Sequence, residues 1–282
     1  MHPILIHTPW LDIHTYGVLV AMGFLVGLAV AARNAKIEGM NPELISDLGV
    51  WLVIGGMVGG KLFHIVFFWN DFIAGWSEEG IRSLREGFVF YGGFIGASVA
   101  GVIYARIKKL NFWKVADCCA PGVAIGHAFG RMGCFFNGCC YGKLCGTGLG
   151  VRFPAIHDSA GRPIGSIPFI DHLQRGWVKV SASASLPVYP TELFEVAGNI
   201  VIFLALMAYF RRKRFDSKIW WLYILGYGLL RFCVEFFRGD YETYYFGIFT
   251  FGHIVAACMI AVATTALVVC RSKTANQPVH AV

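Results

Sequence analysis

Charge is what this sequence has least of. Acidic and basic residues together make up 15% of its 282 positions, against about 25% in an ordinary soluble domain. A chain so poor in charge is ill suited to cover a soluble globule, and its hydrophobic share of 56% lies in long runs rather than short alternations. Such runs read as bilayer spans. A basic leader is also missing. The opening MHPILIHTPWLDIHTYG has no lysine or arginine before the first apolar run, so no cleaved signal peptide is expected and the first span should remain. No CxxC pair occurs among the nine cysteines, which rules out the usual spacing of a small disulfide framework or a zinc knuckle. No repeat or low-complexity stretch stands out.

What is present is a net charge of +7. In a soluble protein that would suggest nucleic acid. Here the basic residues sit at the ends of apolar runs, which points to topology and anionic lipid, with no nucleic-acid partner. The pattern predicts an all-α membrane protein of seven transmembrane helices, at 16–32, 48–69, 89–105, 115–136, 193–210, 219–236 and 249–269. The fourth is the least regular and reads as either a full span or a broken one. The loops after spans one, three and five and the C-terminal tail hold 13 basic residues. The N-terminal arm has none, and the last short loop carries Asp240 and Glu242. The positive-inside rule then puts the N-terminus outside and the C-terminus in the cytoplasm. One transmembrane domain, 1–282, is expected, with 138–190 as a periplasmic arm or head and 271–282 as a disordered tail.

Several charges fall inside or at the edge of these spans: Lys61, Arg131, Arg231 and Arg238, with Asp117, Glu192, Glu195 and Glu235. A charge at mid-bilayer costs about 2.5–3.5 kcal/mol on insertion scales, so a polar site or pathway is the default reading, and structural ion pairs are the alternative. Arg231, Glu235 and Arg238 are spaced i, i+4, i+7 and should share one helix face. Glu192, Glu195 and Asn199 repeat such a spacing at the start of span five, where Thr191 after Pro190 is placed to cap the helix. Arg131 lies in GRMGCFFNGCCYG near the end of span four. The derived topology gathers these charges in the outer leaflet, where arginines suit a phospholipid phosphate. Two glycine-rich stretches, FYGGFIGASVAG and 130–142, allow close backbone approach to a phosphate or close helix packing.

Cys134, Cys139, Cys140 and Cys145 sit near the same end, as a disulfide, inert thiols, a redox pair or a metal site. With His127 and His157 nearby, a metal is conceivable, but the spacing matches no zinc pattern. The other five cysteines read as span packing, and His64 and His253 as interhelical hydrogen-bond partners.

These segments resemble prolipoprotein diacylglyceryl transferase, a bacterial inner-membrane enzyme family. The resemblance is carried, in order, by Tyr16-Gly17, the stretch 90–96, GRMGCFFNGCCYG, YPTELFE at 189–195, RFCVEFFR at 231–238 and TFGH at 250–253. It implies a monomeric, multi-pass transferase that moves the diacylglyceryl group of phosphatidylglycerol onto the lipobox cysteine of prolipoprotein signal peptides. Glycerol phosphate leaves, with no cofactor and no metal. It places Arg131, Arg231, Glu235 and Tyr91 in catalysis, the two arginines holding phosphate. Tyr16, Gly92, Gly93, Asn137, Gly142, Glu195 and Arg238 would bind substrate. The chain departs from the family pattern where a histidine is replaced by Tyr91, where Asn and Glu are replaced by Cys134 and Cys139, and where a glutamine is replaced by His253. A tyrosine in place of that histidine is a poor base at neutral pH. Two other classes fit the intramembrane charges. A transporter or flippase would show inverted repeats and polar residues in both leaflets. A thiol oxidoreductase using Cys139 and Cys140 would need a redox partner.

Overall fold

The computed structural model describes residues 4–7, 12–70, 72–73, 76, 87–157, 163–239 and 249–275. Their order is β1 (Ile4–His7), β2 (Asp12–His14), α1 (Thr15–Ile37), α2 (Pro42–Phe67), α3 (Phe90–Ile107), α4 (Phe112–Asn137), β3 (Ile156–His157), β4 (Pro163–Gly165), α5 (Ile167–Gln174), α6 (Thr191–Phe210), α7 (Lys218–Glu235) and α8 (Phe251–Ala275). All seven expected spans fall on long helices, including the fourth, which runs unbroken for 26 residues with Pro121 inside it. Four of them, α1, α2, α6 and α8, are long and apolar enough to cross a membrane. Their apolar side chains point outward as well as inward, with Val66 and Phe67 about 70% exposed. Outward apolar faces suit a lipid solvent, which takes them up without penalty. The last helix reaches Ala275, past the expected start of a tail at 271; residues 276–282 lie outside the described residues.

The chain divides into two compact units, Ala31–Cys118 and the remainder. In the first, Asn41 caps α2, its Oδ1 accepting the Glu43 amide at 3.0 Å, and Pro42 follows at the first helical position. That is a strong local start signal. Helices α2 and α3 then pack backbone to backbone. A side chain at Gly96 would strike the carbonyl oxygen of Gly55 and come within 2.8 Å of the Gly59 Cα. Small residues at such a seam let two helices gain contact without any hydrophobic drive between them. Nearby, Asn34 donates from Nδ2 to the Cys118 carbonyl at 3.1 Å, and Lys61 lies over the rings of Phe72 and Phe88.

The other unit holds α6, α7, α8, parts of α1 and α4, and the 138–190 segment. The described residues of that segment, 138–157 and 163–190, fold as a small lobe. Tyr141, Phe153 and Val188 form its core, with Phe135 and Val151 packed against them. Isolated bridges pair Leu144 and Val151 with Val188, Pro154 with Ala184, and Gly142 with Arg238. Ser185 and His172 close it from within: Ser185 Oγ accepts the Phe153 amide at 3.0 Å, and His172 Nδ1 accepts the Leu186 amide at 3.2 Å.

Candidate active site

Three helices deliver the charged centre. From α6 comes Glu195, 1% exposed. From α4 comes Arg131, whose Nε lies 2.8 Å from Glu195 Oε2. From α7 comes Arg231, whose Nη1 lies 2.9 Å from Glu195 Oε1 and whose Nη2 lies 2.9 Å from Glu235 Oε2. The Arg231–Glu235 pair is the i, i+4 contact that the spacing predicts. Arg238 was expected on the same helix face. Helix α7 ends at Glu235, so Arg238 instead belongs to the bridge with Gly142, and its Nη1 approaches Glu195 Oε1 at 3.8 Å. Among the described residues, three guanidinium groups and two carboxylates thus come together here.

Glu235 is held from its other side. Thr250 Oγ1 donates to Glu235 Oε1 at 2.5 Å, and the Thr250 amide donates to His253 Nδ1 at 3.1 Å. His253 thus makes a local bond at the start of α8, while its ring packs on Phe232, Phe236 and Phe249. A Cβ at Gly252 would collide with the Glu235 carboxylate, so any larger residue there must displace that side chain from its present position. Thr250 opens the TFGH motif, but the motif alone gives its hydroxyl no role; that becomes visible only when the fold brings it to a buried acid. Sequence reasoning missed Tyr227. It lies beside Arg131 and Arg231, and its ring packs on His127 with centroids 4.6 Å apart. Glu192, on the same helix as Glu195, is equally buried, and among the described residues no other side chain hydrogen-bonds its carboxylate.

The remaining predicted site residues scatter by role. Tyr16, at the first turn of α1, borders Gly133 and lies within electrostatic reach of Arg131. Asn137 is exposed at the end of α4. Gly142 is wedged between backbones, since a Cβ there would come within 2.5 Å of the Tyr189 oxygen and 2.7 Å of the Phe237 oxygen. Gly92 and Gly93 line the α2–α3 seam of the other unit, where Tyr91 stands exposed on the first turn of α3. Thr191 does not cap α6. Its hydroxyl donates to the Cys140 carbonyl at 2.8 Å instead. Among the cysteines read as packing, Cys118 is buried but Cys233 and Cys258 are exposed. Where 138–190 meets the 238–239 segment, a cleft of about 780 Å³ opens between Tyr141, Lys143, His172 and Arg175.

Long apolar helices and a buried knot of arginine and glutamate fit the class of membrane proteins with a polar centre. The chain matches the family model for prolipoprotein diacylglyceryl transferase over residues 3–269. It is 30% identical to the phosphatidylglycerol–prolipoprotein diacylglyceryl transferase of Clostridium tetani, covering 85% of this chain and 86% of that one. It is 31% identical to those of Geobacter sulfurreducens and Burkholderia lata, each match covering 84% of this chain and 82% of the relative. The chain therefore belongs to the prolipoprotein diacylglyceryl transferase family, and it is a transferase, as the sequence motifs implied.

Proposed function

We propose that this enzyme transfers the diacylglyceryl group of phosphatidylglycerol to the lipobox cysteine of a prolipoprotein signal peptide. One observation carries the reading: Arg131 and Arg231, from different helices, converge on a single buried carboxylate. The peptide thiol attacks the glyceryl carbon that bears the phosphate ester oxygen. A carbon–sulfur bond forms, the carbon–oxygen bond breaks, glycerol phosphate leaves with the bonding pair, and the proton given up by the thiol balances the charge gained by the released phosphate. The thiol must lose its proton to attack well, and the charge that develops on the phosphate must be stabilised.

Arginine supplies that stabilisation through paired donors in a rigid fork. Glu195 and Glu235 hold the two forks in place before the lipid arrives, so little reorganisation remains for the reaction itself. Arg238 and Tyr16 border the same centre and contribute to headgroup binding. The topology that suits this work has seven spans, the N-terminus outside, and the charged centre in the outer leaflet of a bacterial inner membrane. The 138–190 lobe, placed on that side, meets the signal peptide.

The test is reconstitution. Purified protein is incubated with labelled phosphatidylglycerol and a lipobox peptide, and label is followed onto the peptide cysteine. Absence of transfer, where another family member works under the same conditions, overturns the reading.

A further inference from the structure

The cysteines of GRMGCFFNGCCYG take no part in the chemistry above, and their arrangement has a local cause. Helix α4 stops at Asn137, and Gly138 follows with φ of 69°. The Gly138 amide donates to the Phe135 carbonyl and the Cys139 amide to the Cys134 carbonyl, at 3.3 and 3.2 Å. This double closure is the glycine-terminated helix end in which two side chains flanking the last turn come together. That contact is usually apolar; here both partners are thiols, Cys134 and Cys139. Cys140 is then turned back in the left-handed region at φ 65°, a costly setting for a residue with a side chain. Its carbonyl is tied down by the Thr191 hydroxyl from α6.

The result is three sulfurs all within 4.8 Å of one another. Three thiols cannot all be satisfied by disulfides, and bridging the adjacent Cys139 and Cys140 would demand strained geometry. A single soft cation satisfies all three. With metal–sulfur bonds of about 2.3 Å, a trigonal or tetrahedral ion spaces its sulfur ligands about 3.8–4.0 Å apart, which lies inside the 4.8 Å that bounds these three sulfurs. The charge balance also fits. The site sits at a helix C-terminus, where a cation is favoured. Arg131 and Arg238 lie within electrostatic reach of Cys140 and offset the negative charge left when three thiolates meet one ion.

We infer that Cys134, Cys139 and Cys140 form a binding site for one thiophilic d10 cation, zinc(II) or copper(I). The ion clamps the end of α4, one turn beyond Arg131, to the turn that bridges Arg238. This inference does not rest on the transferase reading.

The experiment uses the full-length protein in detergent, reduced and freed of metal with a chelator. Cobalt(II) is added first as an optical probe, then displaced with zinc(II); copper(I) is tested separately against a colorimetric competitor. One equivalent per chain should bind, with a thiolate-to-cobalt charge-transfer band, and the preferred ion should raise the thermal midpoint. Cys140→Ser should weaken binding by about tenfold or more, and Cys258→Ser should not change it. Alkylation mapped by mass spectrometry on the unmodified chain covers variants that fail to fold. Bound metal should protect positions 134, 139 and 140 at least about tenfold and leave Cys258 reactive. Absence of a stoichiometric site, binding that survives loss of all three cysteines, or a Cys134–Cys139 disulfide in acid-trapped cells overturns the inference.

Discussion

Arg131 and Arg231 are held on opposite oxygens of one carboxylate, Glu195, at 2.8 and 2.9 Å. Their side chains come from helices α4 and α7, yet the shared acid fixes the distance between them. A phosphate entering here would meet two forks already aimed. Arg131→Ala or Arg231→Ala should each lower transfer about 10²–10³-fold, the usual effect of losing one preorganised donor. The lysine variants should recover little, because an ammonium lacks the fork. Transfer of labelled lipid to a lipobox peptide measures both.

Glu195 is the keystone of this arrangement, so its removal should be felt in stability before chemistry. Glu195→Ala leaves two largely buried guanidinium groups without their common partner, a loss of about 3–5 kcal/mol in comparable buried pairs. The thermal midpoint in detergent should fall well below that of Arg131→Ala. A midpoint equal to that of the unmodified chain would show that the pairs contribute nothing to folding.

Thr250 acts through Glu235, and the two can be separated. Thr250→Val removes the hydroxyl that Glu235 accepts, leaving the carboxylate free to swing from Arg231. The expected signature is a lower kcat with little change in KM for phosphatidylglycerol, and recovery in Thr250→Ser. Equal activity of the valine and serine variants would remove Thr250 from the site.

Much of this centre is written in spacing. Arg231 and Glu235 are four residues apart on a helix, and their pairing follows from that alone. The long helices are legible as apolar runs, and four of them, α1, α2, α6 and α8, have the length and hydropathy that a bilayer demands in one segment. The pairing of Arg131 with Glu195 is not legible, since no local rule joins residues on separate helices. Arg238 shows the opposite failure: its i+7 spacing presumes a helix that has already ended at Glu235. Thr191 has the residue type of a cap, but the helix starts one residue early, with Pro190 in the cap position, and the Thr191 hydroxyl donates to the Cys140 carbonyl instead. The three-thiol cluster fits no metal spacing because a helix end, not a knuckle, brings its members together.

His172 in the 138–190 lobe gives the enzyme a pH limit. It is 1% exposed, and its Nδ1 accepts the Leu186 amide, so the neutral ring is required. Burial holds its pKa below the ordinary histidine value, against the opposing pull of Asp171. The folded lobe therefore binds the proton less readily than the unfolded chain does. Stability is complete above the unfolded pKa of about 6.5 and is lost as pH falls below it toward the folded value. Trp177, whose ring lies 5.2 Å from His172, reports the change by fluorescence. Between pH 7.5 and 5 the thermal midpoint should drop, and His172→Phe should flatten that dependence even if it lowers the midpoint overall.

The glycines of FYGGFIGASVAG decide between packing and ligand contact, because their surroundings differ in a graded way. A methyl at Gly92 would sit 2.6 Å from the Gly59 oxygen, and one at Gly96 would sit 2.8 Å from the Gly59 Cα. At Gly93 the nearest atom is the Gly56 oxygen at 3.3 Å, and at Gly56 it is the Gly93 oxygen at 3.7 Å. If the stretch serves the α2–α3 seam, stability should follow those gaps. Gly92→Ala and Gly96→Ala should each lose about 1–3 kcal/mol through overpacking, Gly93→Ala less, and Gly56→Ala nothing measurable. A phosphate contact predicts another order. Gly92→Ala and Gly93→Ala would then raise KM for phosphatidylglycerol together, while Gly96→Ala, one turn further along α3, would spare it. Thermal midpoints and KM values from the same four variants separate the two, since a seam tracks distance to a neighbouring backbone and a ligand site tracks position along the helix.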